Sequence, residues 1–420
     1  MKKLSVLLIA MVIFTLAISA CAPAAPAAEE AAVEEEAVVE EAEEAEVAEE
    51  AEAEEVAAKE PIKIGNLQDE SGGMKALSSA LTYAATMKIE EVNAAGGING
   101  HPIELITYDT RSDVNEAINA YTRMVEQDEV IAVLGPPISN IGIAVAPVAE
   151  ELQVPISGLF MDENAIFQES GEPWHYMFLG QNSAGRQGMT IAAYLMQEKG
   201  LTDFAFLYNN QNSYSVGLKD GFEQIVTENG GTVTASETYV WEDKDFRAQL
   251  TKILATDPEC IYFPSYPVEI PLIYTQAYEL GYTGVMAGSN SVPPTGLAPQ
   301  TDPAATTNSF YPYAINVTEP ELQEWAATYE EKFGVKPLAQ SFSGADAFGM
   351  LLQAIEAAGE DLTPARITEE LNTVSYEGFQ GTVEMSPDNH QPKDLPMAIF
   401  TITEGAAEYV MWYLPTGPAE

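Results

Sequence analysis

The residue best placed to do chemistry is Ser139, within the stretch 131–140, IAVLGPPISN. The β-branched apolar run 131–134 reads as a buried strand, Gly135, Pro136 and Pro137 end it, and Ser139 stands where a helix N-cap belongs. The first amides of a helix have no internal acceptor and carry the positive end of its dipole. A hydroxyl beside them can therefore hold a carboxylate or another oxyanion. The same ten residues also describe an ordinary αβ turn with a capping serine.

Other reactive side chains do not assemble into a site. His101, His175 and His390 are far apart and lack metal-ligand spacing, so they are assigned to surface or turn positions and no metal is expected. Gly96 and Gly97 followed by Gly100 lie after a helix instead of before one and do not match the dinucleotide fingerprint. No P-loop, no G-x-S-x-G elbow and no acid pair is marked out by spacing, so neither a cofactor nor catalysis is expected. Asp162 reads as a loop cap, and Trp241 with Glu242 is placed at the rim of a cleft.

The chain opens with an export signal: Lys2 and Lys3, an apolar run over 4–20, then Cys21. ISAC at 18–21 resembles the lipobox of bacterial lipoproteins, which implies acylation of Cys21 after removal of 1–20. The only other cysteine, Cys260, sits in the apolar run ECIYF and is expected in a buried strand. Residues 21–60 form an acidic low-complexity tether whose sixteen glutamates face one lysine, Lys59. With like charges at helical spacing and no apolar face, it is read as solvated chain. The net charge of −47, with no basic cluster, excludes nucleic-acid partners.

From residue 61 onward the chain is too long for one growing core, so two lobes are expected. Strands near 62–67, 103–108, 131–134 and 154–157 alternate with helices near 77–95, 113–127 and 141–152. After a break at 176–185, strands near 204–208, 232–240, 260–264 and 285–287 alternate with helices near 187–199, 216–228, 246–256 and 269–280. Such alternation is the mark of βαβ units and a parallel, doubly wound α/β sheet, here twice over. An aromatic run, FYPYAI at 310–315, then leads into helices near 320–333, 343–358 and 364–373 and short strands at 379–384, 397–402 and 409–413.

Residues 62 to about 414 resemble the branched-chain amino acid (leucine/isoleucine/valine-binding) type of periplasmic binding protein that feeds ABC importers. The resemblance is carried by IKIG at 62–65, SGG at 71–73, EEVNAAGGINGHPIELITYDTRSD at 90–113, VLGPPIS at 133–139, VPIS at 154–157, NSYSVG at 212–217, DFRAQLTKI at 245–253 and YFPSYP at 262–267. It implies a type I periplasmic binding protein: two Rossmann-like lobes joined by a three-segment hinge, with crossings near Leu179, Phe310 and Glu377. Lobe one is then 61–178 plus 313–376, and lobe two 180–309 plus 378–414. It further implies a monomer on the outer face of the membrane, tethered through Cys21, that hands a small solute to permease and ATPase subunits. A ligand-sensing lipoprotein serving a chemoreceptor or sensor kinase is the alternative on the same lobes.

Carried over residue by residue, the resemblance puts the ligand carboxylate on Ser139 with Asn140 beside it. Further contacts come from Leu159, Phe160 and Met161, and aromatic walls from Tyr214 and Tyr266 of lobe two. Two positions depart from the amino-acid binders: Met161 replaces a threonine, and Ser289 or Asn290 an acid, so the usual partners of a ligand ammonium are missing. A buried ammonium without an anion is costly, and an amide, urea-like compound or simple carboxylate fits better. Asp69 and Glu70, in the loop before the first helix, are candidate substitute anions or else solvated loop acids, and Leu77 at the start of that helix completes the candidate set.

Overall fold

The computed structural model describes residues 59–292 and 301–414, so the expectations for the export signal, Cys21 and nearly all of the tether lie outside the described residues. The first series is β1 (Ile62–Gln68), α1 (Lys75–Ala94), β2 (Ile103–Asp109), α2 (Val114–Glu126), β3 (Ala132–Leu134), α3 (Ser139–Leu152), β4 (Ile156–Gly158) and β5 (Met177–Leu179). Its strands are all parallel, in the order β2-β1-β3-β4-β5. Alternate strand residues face opposite ways, so Ile64 and Leu134 pack with Leu81 and Ala85 of α1 on one side, and Val133 and Ile156 with Tyr121 of α2 and Val145 of α3 on the other. As expected, Asp113 caps α2, its carboxylate accepting the Glu116 amide at 2.9 Å.

The second series is α4 (Ala184–Lys199), β6 (Asp203–Asn209), α5 (Ser213–Glu228), β7 (Thr232–Tyr239), α6 (Arg247–Leu254), β8 (Cys260–Tyr262), α7 (Ile270–Glu279), β9 (Val285–Ala287) and β10 (Ser309–Tyr313). After α8 (Pro320–Phe333), α9 (Ala339–Ala357), α10 (Pro364–Leu371) and a hairpin of β11 (Ser375–Gly378) and β12 (Gly381–Glu384), the chain adds β13 (Met397–Thr403) and β14 (Ala406–Tyr413). The second sheet runs β14-β13-β10-β9-β8-β6-β7, with β13 antiparallel to both its neighbours, β10 and β14, and the other pairs parallel. Cys260 is a buried strand residue, as expected, and burial pushes its thiol well above the usual range.

Three features differ from the sequence reading. Residues 177–179 are a strand, hidden in the sequence by the Gly180 and Ser183 that follow them. The aromatic run is itself strand β10, shared between β9 and β13, so its alternate rings Tyr311 and Tyr313 enter the core instead of marking a passage. Residues 379–384 are not one strand: Phe379 and Gln380 form the turn of the β11–β12 hairpin, and Gly381 follows at φ +93°. Val383, Met385 and Leu395 pack in the core of the first sheet together with Phe348 and Leu351 of α9, while Met397 opens β13 of the second.

Asp346 of α9 holds that hairpin in place. Its buried carboxylate accepts the amides of Phe379 at 2.8 Å and Gln380 at 2.9 Å, and the Gln380 side chain at 3.3 Å. A Cβ on Gly378 would lie 2.3 Å from Asp346 Oδ1, so only glycine lets the strand come this close. Burial pushes the Asp346 carboxyl up to about 6, against hydrogen bonds that pull the other way. The folded state thus keeps its proton where the unfolded chain, near 3.9, has lost it, and the contribution to stability falls as pH rises through that window. Urea denaturation of the protein and of Asp346→Asn will show a stability difference that drops by about 2–3 kcal/mol in the protein's disfavour between about pH 3.5 and about pH 7. A difference constant with pH would refute this account.

Candidate functional site

At the carboxyl edge of the first sheet, the turn after β3 is specified by Gly135. It stands at φ +97°, and a Cβ there would meet the Leu67 carbonyl at 2.4 Å. The two prolines and extended Ile138 then lead into α3, so the helix begins one position earlier than the sequence reading had it. Ile138 occupies the N-cap position, and Ser139 is the first helical residue without capping the helix through its side chain. The Ser139 hydroxyl instead accepts the amides of Met161 and Asp162, both at 3.2 Å, from the loop after β4. With both lone pairs so used, its proton is left to donate. The amides of Ile141 and Gly142 return to the Ile138 carbonyl, whereas those of Ser139 and Asn140 precede any helical acceptor.

The facing wall comes from the carboxyl edge of the second sheet. Asn212 caps α5 by accepting the Tyr214 amide at 3.0 Å, which sets Tyr214 on the first turn with its ring buried. Its hydroxyl donates to Asn290 Oδ1 at 2.6 Å, and its ring stacks on Tyr266 at 5.4 Å and 11° between planes. Trp241 continues the stack on the other side of Tyr266, at 5.6 Å. Burial pushes the Tyr214 phenol up to about 12, so it remains a neutral donor at physiological pH. Ser289, fully buried after β9, points its hydroxyl toward the Ser265 carbonyl at 3.4 Å.

The two walls touch. Asn140 Oδ1 accepts from the Ser213 hydroxyl at 2.6 Å and the Ser213 amide at 3.3 Å. The Met161 sulfur lies 3.6 Å from Asn290 Nδ2 and 3.2 Å from Gln187 Nε2 of α4. Asp162 caps its own loop, as read from the sequence, through the Asn164 amide at 2.8 Å, and its side chain also bonds Ser213. Burial raises its carboxyl above the usual range despite these bonds. Ser139, Asn140, Met161, Tyr214, Tyr266, Ser289 and Asn290 are thus drawn into one neighbourhood by the ends of two sheets.

Two of its members had no signal strong enough to select them. Ser213 is an unremarkable serine beside Tyr214, and Gln187 is a polar residue on the buried face of α4. Among the described residues, Gln187 Oε1 and Ser215 Oγ are buried without a hydrogen-bond partner. Such atoms cost about 1–3 kcal/mol each unless something meets them.

The other candidates make the following contacts. Asp69 is fully buried and spends both oxygens on its own loop, accepting the amides of Gly72 at 2.9 Å and Met74 at 2.7 Å and the Ser112 hydroxyl at 2.6 Å. Glu70 accepts from the Thr82 hydroxyl of α1 at 3.3 Å. Leu77 packs on the core of the first sheet. Leu159 belongs to that same core, and its carbonyl takes the Gln181 side chain at 2.9 Å. The Phe160 ring is fully buried beneath Gly142 and Gly158, where an added Cβ would lie 2.6 and 2.1 Å from it. His390, assigned to the surface or a turn, is in a turn at φ +52° but buried, stacked on Phe178 at 4.5 Å. Among the described residues no group of three or more His, Cys, Asp or Glu side chains is arranged to hold a metal.

Truncation shows which of these residues support the fold. Phe160→Ala will lower stability by about 3–5 kcal/mol through the cavity it leaves, read as a fall in the denaturation midpoint. A loss below about 1 kcal/mol would place the ring outside the core.

Comparison with known proteins agrees with this geometry. The family model described as periplasmic binding protein matches residues 61–407. An amino acid binding protein of Pseudomonas aeruginosa is 26% identical over 331 residues, spanning 77% of this chain and 85% of the relative. The leucine binding protein LivK of Thermotoga maritima is 26% identical with a TM-score of 0.73, over 84% of this chain and 99% of that one. LivJ of Streptococcus pneumoniae, a branched-chain amino acid transporter substrate binding protein in complex with isoleucine, is also 26% identical, with a TM-score of 0.71 over 83% of this chain and 99% of that one. With two sheets, each largely or wholly parallel, whose carboxyl edges meet where Ser213 bonds Asn140, the chain belongs to the periplasmic binding protein family and has its type I fold.

Proposed function

We propose that this protein is the lipid-anchored, extracytoplasmic solute-binding subunit of an ABC importer, and that it binds its solute without turning it over. The observation that carries the reading is Ser139: it opens α3, its hydroxyl accepts the Met161 and Asp162 amides, and it stands beside the neighbourhood that Tyr214, Tyr266 and Asn290 line from the other sheet. A small solute with a carboxylate or amide end docks there, and the stacked rings bury its apolar part. The names of the relatives, an amino acid binding protein and two leucine or branched-chain binders, support a solute of that size. Asn290, already committed to Tyr214, offers no charge to an ammonium, which favours amides and simple carboxylates over zwitterions.

In this reading the first sheet with α1–α3 and α8–α10 is lobe one, the second sheet with α4–α7 is lobe two, and the chain crosses near Leu179, after β10, and between Leu395 and Met397. The packing of Val383, Met385 and Leu395 with lobe one favours that third position over one near Glu377. Solute touching both lobes draws them together by no more than its differential affinity for the closed form. Export and acylation at Cys21 account for the acidic run that follows as a spacer from the membrane.

A thermal-shift screen of the full-length protein against amino acids, amides, urea-type compounds and aromatic acids tests the reading. A true solute at about a hundred times its Kd adds about 2.7 kcal/mol and raises the Tm by a few degrees. The shift for that solute will shrink sharply in Ser139→Ala. A panel without a shift, or a shift that Ser139→Ala leaves intact, would overturn it.

A further inference from the structure

Away from Ser139, a groove of about 870 Å³ runs between α1, α8, α9 and the β11–β12 hairpin, with Pro396 and Trp412 of β14 closing one side. Four aromatic side chains line it, Trp325, Tyr376, Phe379 and Trp412, with the Trp325 and Phe379 rings 5.1 Å apart at 57°. Besides Glu91 and the already engaged Asp346, three carboxylates stand among them: Glu319, Glu321 and Glu377. The Trp412 indole N–H donates to Glu319 at 3.3 Å and the Thr382 hydroxyl to Glu377 at 2.8 Å. Among the described residues none of the three has an ion-pair partner. The groove already holds one ammonium at its α1 end, where Lys88 pairs with Glu91 at 3.2 Å and bonds the Tyr376 phenol. The groove wall also includes Gln380, only 2% exposed. Its amide nitrogen is spent on Asp346 and on the Gly180 carbonyl at 3.5 Å, and its Oε1 is left without a donor.

We propose that this groove is a second ligand site, selective for a small organic cation: an ammonium on a short apolar body. Ring faces attract an ammonium and carboxylates neutralise it, while the rings bury the body. A divalent metal fits poorly, because it needs oxygen ligands gathered within one coordination sphere, and among the described residues no such group exists. An anion is opposed by all three glutamates. The walls come from elements packed on the first sheet and from β14 of the second, so the occupant touches both.

Calorimetric titration of the full-length protein with putrescine, and separately with choline, at physiological ionic strength tests the site. Saturable binding of at least one probe is expected, weakened about tenfold in the double variant Glu319→Gln, Glu321→Gln and unchanged in Ser139→Ala. Both glutamates are at the partly exposed start of α8, and an unchanged melting curve will show that the double variant folds. No saturable heat with either probe up to about 10 mM, or equal affinity in the double variant, would overturn the proposal. So would loss of binding in Ser139→Ala, which would put the cation at the Ser139 site instead. The solute screen reads that other site separately, so failure of one leaves the other standing.

Discussion

The pair of hydrogen bonds that Ser139 accepts from Met161 and Asp162 is the constraint on which the site depends. They join the turn after β3 to the loop after β4, two segments that share only their position at the carboxyl edge of one parallel sheet. Because parallel strands all end at the same edge, their following loops must crowd together there, and helix amino termini accompany them. The site is therefore a consequence of strand direction before it is a matter of side-chain identity. The same rule applied to β6, β8 and β9 delivers Tyr214, Tyr266 and Asn290 to one edge of the second sheet.

Much of this was legible because local signals and global fold agree. The strands and helices from β1 to α3 follow from period-two and period-3.6 apolar patterns, and Asp113 marks the start of α2 by the hydrogen bond it makes. The illegible parts are those set by partners distant in sequence. Residues 309–313 are a strand because β9 and β13 flank them, and nothing within five residues says so. Phe160 and Leu159 follow β4 at the carboxyl edge of the first sheet with their side chains turned inward, a direction that sequence position alone does not give. Ser213 and Gln187 acquire their roles only through Asn140 and Met161 on the opposite wall. Asp69 illustrates the converse: an acid that motif comparison offers as a free anion is consumed by its own loop.

Charge sets the terms for both proposed sites. With a net charge of −47 the chain as a whole repels a carboxylate, so the Ser139 site must win locally. Screening confines surface charges to about 8 Å at physiological ionic strength, whereas buried amides and a buried hydroxyl act at contact distance in a weaker dielectric. Short-range hydrogen bonding can thus outweigh a large distant charge. At the α8–β14 groove the local and global fields have the same sign, and both favour a cation.

The bonds that now join the two walls also bear on how a solute would act. They are few: Ser213 to Asn140 and Asp162, and the weaker contacts of Met161 with Asn290 and Gln187. A hydrogen bond contributes about 0.5–1.5 kcal/mol net, because water would otherwise take its place. In the proposed function, a solute that bonds Ser139 and the opposite wall together adds contacts that exist only while the walls adjoin, and so has the differential affinity that closure requires.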